Sequence, residues 1–230
     1  MRGLIHDSLI ERKNATIDIF KESGVLPAFA VSCSDGILLL GTANRRGICK
    51  VKRLLDRVAC AGTGDIEGDF GILYESMSAF AKVKAYIEMS KGDMRVFNDL
   101  KKQIARILRS SFRDLYNNTY FECEIIIAKL GFEADDDELV SVDFTGTVQK
   151  SKKLISIPSI TGLKLDISLS EQLTIRDAFS AITGEVKKMK PDVNLFWEAV
   201  VLSRQEALNK NFSNVYQRIS ESELKQWLNL

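Results

Sequence analysis

The thiol and imidazole side chains that usually hold zinc are few. The four cysteines are Cys33, Cys49, Cys60 and Cys123, and the one histidine is His6. No two cysteines stand at C-x-x-C spacing. A tetrahedral zinc site draws on about four Cys or His ligands at short spacings, so no metal is expected. Three of the four cysteines lie in apolar runs and read as buried free thiols, which suits a reducing compartment. His6 cannot serve as the base of a buried triad if the first residues are flexible.

Carboxylates cluster twice. Asp65, Glu67 and Asp69 lead into a helix, where negative charge complements the helix dipole. Asp135-Asp136-Asp137-Glu138 follows Gly131 and precedes an apolar stretch, the pattern of a solvated hairpin turn rather than of a metal site. Gly62-Thr63-Gly64 supplies only the first part of a dinucleotide fingerprint, because Glu67 stands where its third glycine belongs; a tight turn between strand and helix accounts for the pair. The phosphate-loop pattern G-x-x-x-x-G-K-[ST], the zinc-protease pattern H-E-x-x-H and the hydrolase elbow G-x-S-x-G are all missing. No cofactor is expected.

Composition narrows the remaining classes. Lys+Arg number 32 and Asp+Glu 31, a formal net charge of +1. No field of one sign exists to recruit nucleic acid or an anionic membrane. The 230 residues, 45% hydrophobic and 27% charged, are those of an ordinary globular chain long enough to bury its own core in one domain. No apolar run has the length of a membrane span or the form of a signal peptide, so the expectation is a cytoplasmic protein.

These residues need a scaffold. Ser8-x-x-Glu11 has the form of a capping box, and Gly24 with Pro27 can stop what it starts; with Ile10, Ile17 and Phe20 on a partial stripe, a helix is predicted over 8–23. Two apolar runs, 28–34 and 37–42, flank Asp35-Gly36, the strongest short hairpin signal. Segments 50–54 and 58–64 add two strands. The apolar spacing of Leu73, Met77, Phe80 and Ile87 predicts a helix over 69–89, with Lys84 the one polar exception. Phe97, Leu100, Ile104, Ile107, Leu108 and Leu115 predict another over 96–116. Strands are predicted at 120–128, 139–144 and 195–202. Pro158 limits 155–160 to a sheet edge. Ser170 or Thr174 can cap a helix running to Met189, and Ser220-x-x-Glu223 caps a terminal helix over 220–230. Strands in blocks exclude a doubly wound parallel sheet; two packed antiparallel sheets with helices on their outer faces fit the order.

This order of segments is similar to that of proteasome subunits. Residues 28–42 (AFAVSCSDGILLLGT), 50–58 (KVKRLLDRV), 59–64 (ACAGTG), the two long helices, 120–130 and 170–178 (SEQLTIRDA) resemble successive parts of that family, and the tail 211–219 (NFSNVYQRI) resembles actinobacterial-type α-subunits. The resemblance covers nearly the whole chain and rests on order and spacing rather than on any single motif.

The resemblance implies an α+β fold, a four-layer αββα sandwich of the amino-terminal-nucleophile hydrolase type, as one domain over 1–230. Catalytic members begin their first strand with a threonine that is at once nucleophile and, through its free amine, base. Here that position falls at about Leu26-Pro27, and the family's supporting carboxylate falls at about Thr42. Cleavage before Thr42, Thr63 or Thr147 would remove or split the core strands and orphan their ladder groups. The implied function is therefore a non-catalytic α-ring subunit. It would form a ring of copies of itself (a heptamer), dock a β-type catalytic ring, and gate unfolded protein substrates delivered by an ATP-dependent unfoldase or another activator. Met1, Arg2, Gly3, Leu4, Ile5 and His6, in a flexible segment over 1–7, would form the gate, although the tyrosine–aspartate–arginine gate triplet of archaeal and eukaryotic members is missing. Lys50 would pair with the carboxylate of an activator's terminal tail, with Lys52 as its rival. The alternative is a stand-alone hydrolase or peptidase of the same fold.

Overall fold

The computed structural model describes residues 2–22, 25–87, 93–116, 120–159, 172–189 and 195–228. It contains two five-stranded antiparallel sheets. The first is built from β1 (Ala28–Cys33), β2 (Gly36–Ala43), β8 (Leu154–Ile157), β9 (Phe196–Ser203) and β10 (Tyr216–Arg218), in the order β10-β9-β2-β1-β8. The second runs β3-β4-β5-β6-β7, from β3 (Val51–Leu55), β4 (Val58–Gly64), β5 (Cys123–Lys129), β6 (Glu138–Val142) and β7 (Val148–Ser151). The predicted hairpin forms, with Cys33 paired to Gly36. Its turn is therefore Ser34-Asp35, one residue earlier than expected. β8 ends just before Pro158 and lies at a sheet edge, where a residue without an N–H is tolerated.

Alternation along each strand explains why the runs are apolar on both faces. Ala28, Ala30, Ile37 and Leu39 meet Ala59, Ala61, Ile126 and Ala128 in a core between the sheets. The odd-numbered partners in β1 and even-numbered ones in β2 (Phe29, Val31, Leu38, Leu40) turn the other way, onto α4 (Ile175–Met189) and α6 (Glu221–Trp227). In the second sheet Val58, Cys60, Ile125 and Ile127 face α2 (Asp69–Ile87) and α3 (Asp93–Arg113). The inter-sheet core is rich in alanine, which lets the sheets approach closely; the faces toward the helices carry the larger side chains. Each such Leu, Ile or Phe contributes roughly 1.5–3 kcal/mol on burial.

The predicted start of the first helix moves. α1 spans Arg2–Glu22, so Ser8 and Glu11 lie inside the helix instead of opening it, and residues 2–7 are helical rather than a separate segment. Its inward face is also different: Ile10 is 45% exposed, while Leu9, Thr16, Ile17 and Phe20 pack toward Phe112 and Phe144. Ile17 and Phe20 face inward as their spacing predicts and Ile10 does not; Thr16, polar in sequence, joins the inward face because the Tyr120 hydroxyl meets it at 2.6 Å. Of the two proposed caps for α4, Ser170 falls outside the described residues; Thr174 Oγ accepts from the Asp177 N–H at 3.3 Å. The Ser220–Glu223 capping box is complete at α6. The short helix α5 (Arg204–Leu208) joins β9 to the turn before β10. Among the described residues no helix is long and apolar enough to cross a membrane.

The acidic run is not uniformly solvated. Asp135 and Asp136 are exposed, but Asp137 is fully buried and Glu138 is half-buried. Asp137 faces Arg204, and Glu138 takes Lys101 at 3.0 Å and Lys129 at 3.7 Å. The cations come from distant parts of the chain, which is why the run looks like a plain turn in sequence.

Candidate functional site

Val25, Leu26 and Pro27, the described residues between α1 and β1, carry no nucleophilic side chain. The Leu26 and Pro27 carbonyls are held by three side chains from three strands or strand ends. Leu26 O accepts from Lys50 Nζ at 2.8 Å and from Thr63 Oγ at 2.8 Å. Pro27 O accepts from Thr42 Oγ at 2.7 Å and from the Thr42 N–H at 3.1 Å. Thr42 and Thr63 are fully buried, so both threonines considered as cleavage points act as interior donors. The third, Thr147, sits in the β6–β7 turn, where its N–H donates to Asp143 Oδ1 at 2.9 Å. A buried carbonyl leaves a large unmet cost unless a donor reaches it; here that requirement fixes the entrance to β1.

Lys50 immediately precedes β3 and is only 5% exposed. Its backbone N–H donates to Glu198 Oε2 at 2.7 Å, and the Val51 N–H donates to the same oxygen at 3.1 Å. Glu198 on β9 thereby fastens the start of β3 to the other sheet. Sequence reasoning did not single it out, because a glutamate at the start of an apolar strand has the look of an ordinary surface residue.

Lys50 lines a cleft of about 370 Å³ between the end of α1, the β2–β3 connection and the β4–α2 turn. Arg45 also lines it, with Asp65, Glu67 and Glu122. Burial, then the neighbouring charge of Asp69, pushes the Glu122 carboxyl above its ordinary range. Asp69 is likewise raised by burial, although it accepts the Glu122 N–H. The cleft therefore sets two cations, Lys50 and Arg45, among three carboxylates, and Arg45 is paired with Glu67 at 3.2 Å. It can hold a carbonyl, or a carboxylate that reaches Lys50 and Arg45.

Lys52 goes elsewhere. Its ammonium stands 4.4 Å from the Tyr74 ring centre and 5.6 Å from that of Phe70, against α2. Two lysines two residues apart thus end in different surroundings. Of the proposed gate residues, Arg2, Gly3, Leu4, Ile5 and His6 lie in the first turns of α1, and Met1 falls outside the described residues.

The glycines of the Gly62-Thr63-Gly64 turn are fixed by packing. A Cβ at Gly62 would overlap the Phe70 ring, and Gly64 has φ +98°, where a Cβ would clash with Glu122 O. No nucleotide is needed to explain them. Among the described residues no group of three or more His, Cys, Asp or Glu side chains is placed to hold a metal ion. Cys33, Cys60 and Cys123 are buried and Cys49 is half-buried.

No protein-family model matches the chain. It is similar to "Proteasome subunit alpha" of Thermomonospora curvata, with 26% identity over 115 residues, which is 50% of this chain and 48% of that protein. The match thus spans about half the length of that relative.

Proposed function

We propose that the chain is a non-catalytic α-type ring subunit of a proteasome core particle, with the two sheets and their helices forming the four-layer αββα sandwich of that family as a single domain. Copies of the chain close into a heptameric ring. One face of the ring stacks on a β-type catalytic ring; the other receives an ATP-dependent unfoldase or another activator. The amino-terminal residues, including Arg2, Gly3, Leu4, Ile5 and His6, restrict the passage of unfolded substrates through the ring, in the cytoplasm.

One observation carries the reading. The place where a catalytic relative would present its nucleophile holds Leu26 and Pro27, whose carbonyls are captured by Lys50, Thr63 and Thr42. The chain approaches that point from a 21-residue helix. The partial likeness to a proteasome α subunit supports the same reading. So do the apolar side chains left in solvent on one face of α2, Ile72, Val83 and Tyr86, all more than half exposed. Exposed apolar surface on neighbouring positions is characteristic of association faces.

The test is co-expression with a proteasome β-type chain, followed by native mass spectrometry and a peptidase assay. The expected result is a ring assembly that cleaves peptides, with a covalent active-site inhibitor mapped to the β-type chain alone. Peptide cleavage by this chain in isolation, with inhibitor label on it, overturns the proposal.

A further inference from the structure

A second and larger cavity, of about 620 Å³, lies against the other side of the β2–β3 connection, bounded by the start of β9, by β10 and by α6. Its size is in the range of small-molecule sites, roughly 300–1,000 Å³. Lys50 does not line it. Its apolar wall is formed by Leu195, Trp197, Ile219 and Leu228, all half-buried. The Phe179 ring meets Trp197 edge-on at 6.1 Å, which fixes the indole.

Charge is distributed unevenly around this wall. Four cationic side chains line the cavity, Arg45, Arg46, Arg218 and Lys225, against two carboxylates, Glu198 and Glu221. Arg46 and Lys225 share Glu221, at 2.9 and 3.3 Å. The partner of Arg45 is Glu67, which does not line the cavity. Arg218 is engaged with Glu198 at 2.9 Å, and Glu198 is in turn occupied by the Lys50 and Val51 N–H groups. The side chains of Arg45, Arg46 and Lys225 are 66%, 68% and 61% exposed. Ion pairs that open to solvent are weak and exchange partners readily. Arg46 also lies over the Phe196 ring at 5.5 Å, which holds its guanidinium at the rim.

An apolar wall beneath a rim with surplus positive charge fits one kind of occupant. We propose that this cavity binds an amphipathic monocarboxylate, its aromatic or branched aliphatic body against Trp197, Ile219 and Leu228 and its carboxylate between Arg45 and Arg46. The proposal uses neither Lys50 nor any assembly, although Arg45 also lines the cleft at the end of α1.

The cavity contains its own reporter. Cys49 lines it and accepts from Arg218 at 3.1 Å. The other three cysteines are buried, and burial pushes the Cys33 thiol up to about 12 and those of Cys60 and Cys123 upward as well. The purified chain is treated with iodoacetamide in the presence of 3-phenylpropionate or of its neutral analogue 3-phenylpropanamide, and alkylation of each cysteine is followed by peptide mass mapping. The expected result is alkylation of Cys49 alone. Half-protection should require an about tenfold lower concentration of the acid than of the amide, the difference that one charge-assisted contact supplies. In the double variant R45Q/R46Q that preference should disappear, while unliganded Cys49 reacts as before and the three buried thiols stay unmodified, which shows the variant to be folded. Equal protection by acid and amide, no protection by either, a preference that survives R45Q/R46Q, or a Cys49 inert in the native chain would each overturn the proposal.

Discussion

Arg204 and Asp137 meet in the interior, Nη2 to Oδ2 at 2.8 Å and Nη1 to Oδ1 at 3.2 Å, with 7% and 0% of the two residues exposed. The pair ties the sheets together. Arg204, the first residue of α5, also donates to the Cys33, Ser34 and Gly131 carbonyls, and Asp137 also accepts from Ser32 Oγ and the Gly131 N–H. Every lone pair and proton of the bridge thus has work inside. Removing one partner leaves a buried charge uncompensated, which costs about 3–5 kcal/mol. Arg204→Met and Asp137→Leu should each lower the urea-unfolding free energy by that amount, and the double variant should recover part of the loss. Single variants that lose less than about 1 kcal/mol would show the bridge to be dispensable.

Glu124 makes stability fall as pH rises. The residue has no exposed surface and accepts from the Ser159 N–H at 2.8 Å and hydroxyl at 3.2 Å. Burial, opposed by the Ser159 N–H and reinforced by Asp143, raises its pKa from 4.5 to about 7. Between those values the native chain keeps a proton that the unfolded chain has released. The stabilisation is therefore complete below about pH 4.5 and is lost as pH climbs through about 7. Glu124→Gln should remove this dependence. Melting temperatures compared from acid to mildly alkaline pH should show wild type losing up to about 3 kcal/mol more than the variant; parallel profiles would contradict the assignment.

Much of this scaffold is legible in the chain, and the failures share one cause. The alternation in β1, β2, β4 and β5 is local, so both their existence and their double-sided burial can be read from the residues themselves. Ser220-x-x-Glu223 also closes its cap as read, because all its partners lie within four residues. Ser8-x-x-Glu11 has the same letters but lies within a helix that begins at Arg2. What fixes α1 is far away in sequence: Phe112, Tyr120 and Phe144. The burial of Asp137 depends on Arg204, and the anchoring of β3 on Glu198; neither partner is near enough to leave a spacing signal. At the start of β1 the residues Leu26-Pro27 can be read directly, but the convergence of Lys50, Thr63 and Thr42 on their two carbonyls is a product of the folded sheets.

The docking of α1 depends on Arg12. Its guanidinium donates to the carbonyls of Phe112 and Asp114, at 2.9 and 3.0 Å, and lies 4.8 Å from the Tyr120 ring centre. Those carbonyls are at the carboxy-terminal end of α3, where a cation also meets the helix dipole. Arg12→Ala should cost about 1–3 kcal/mol locally and raise amide hydrogen exchange along α1 while the protection of β1, β2, β4 and β5 stays unchanged. Unaltered exchange in α1 would place its anchorage elsewhere, on Phe20 and Thr16.

The divergence of Lys50 and Lys52 gives the ring-subunit reading its sharpest check. Lys50 lines the cleft at the end of α1, whereas Lys52 is spent on the rings of Tyr74 and Phe70. If a tail carboxylate is captured in the cleft, Lys50→Ala in the assembled particle should weaken stimulation of peptide cleavage by an activator-tail peptide tenfold or more, about the worth of a hydrogen bond to a charged group, and Lys52→Ala should leave it nearly unchanged. Lys50→Ala also removes a donor from Leu26 O, so a structural loss has to be told apart from a lost ligand contact. Thr63→Val does this, because it strips the other donor from the same carbonyl without touching the ammonium; its tail affinity should stay near wild type. A tail peptide ending in a carboxamide should bind wild type as poorly as the natural tail binds Lys50→Ala. If Thr63→Val and Lys50→Ala lose affinity equally, the carbonyl anchorage matters and the ammonium does not receive the tail.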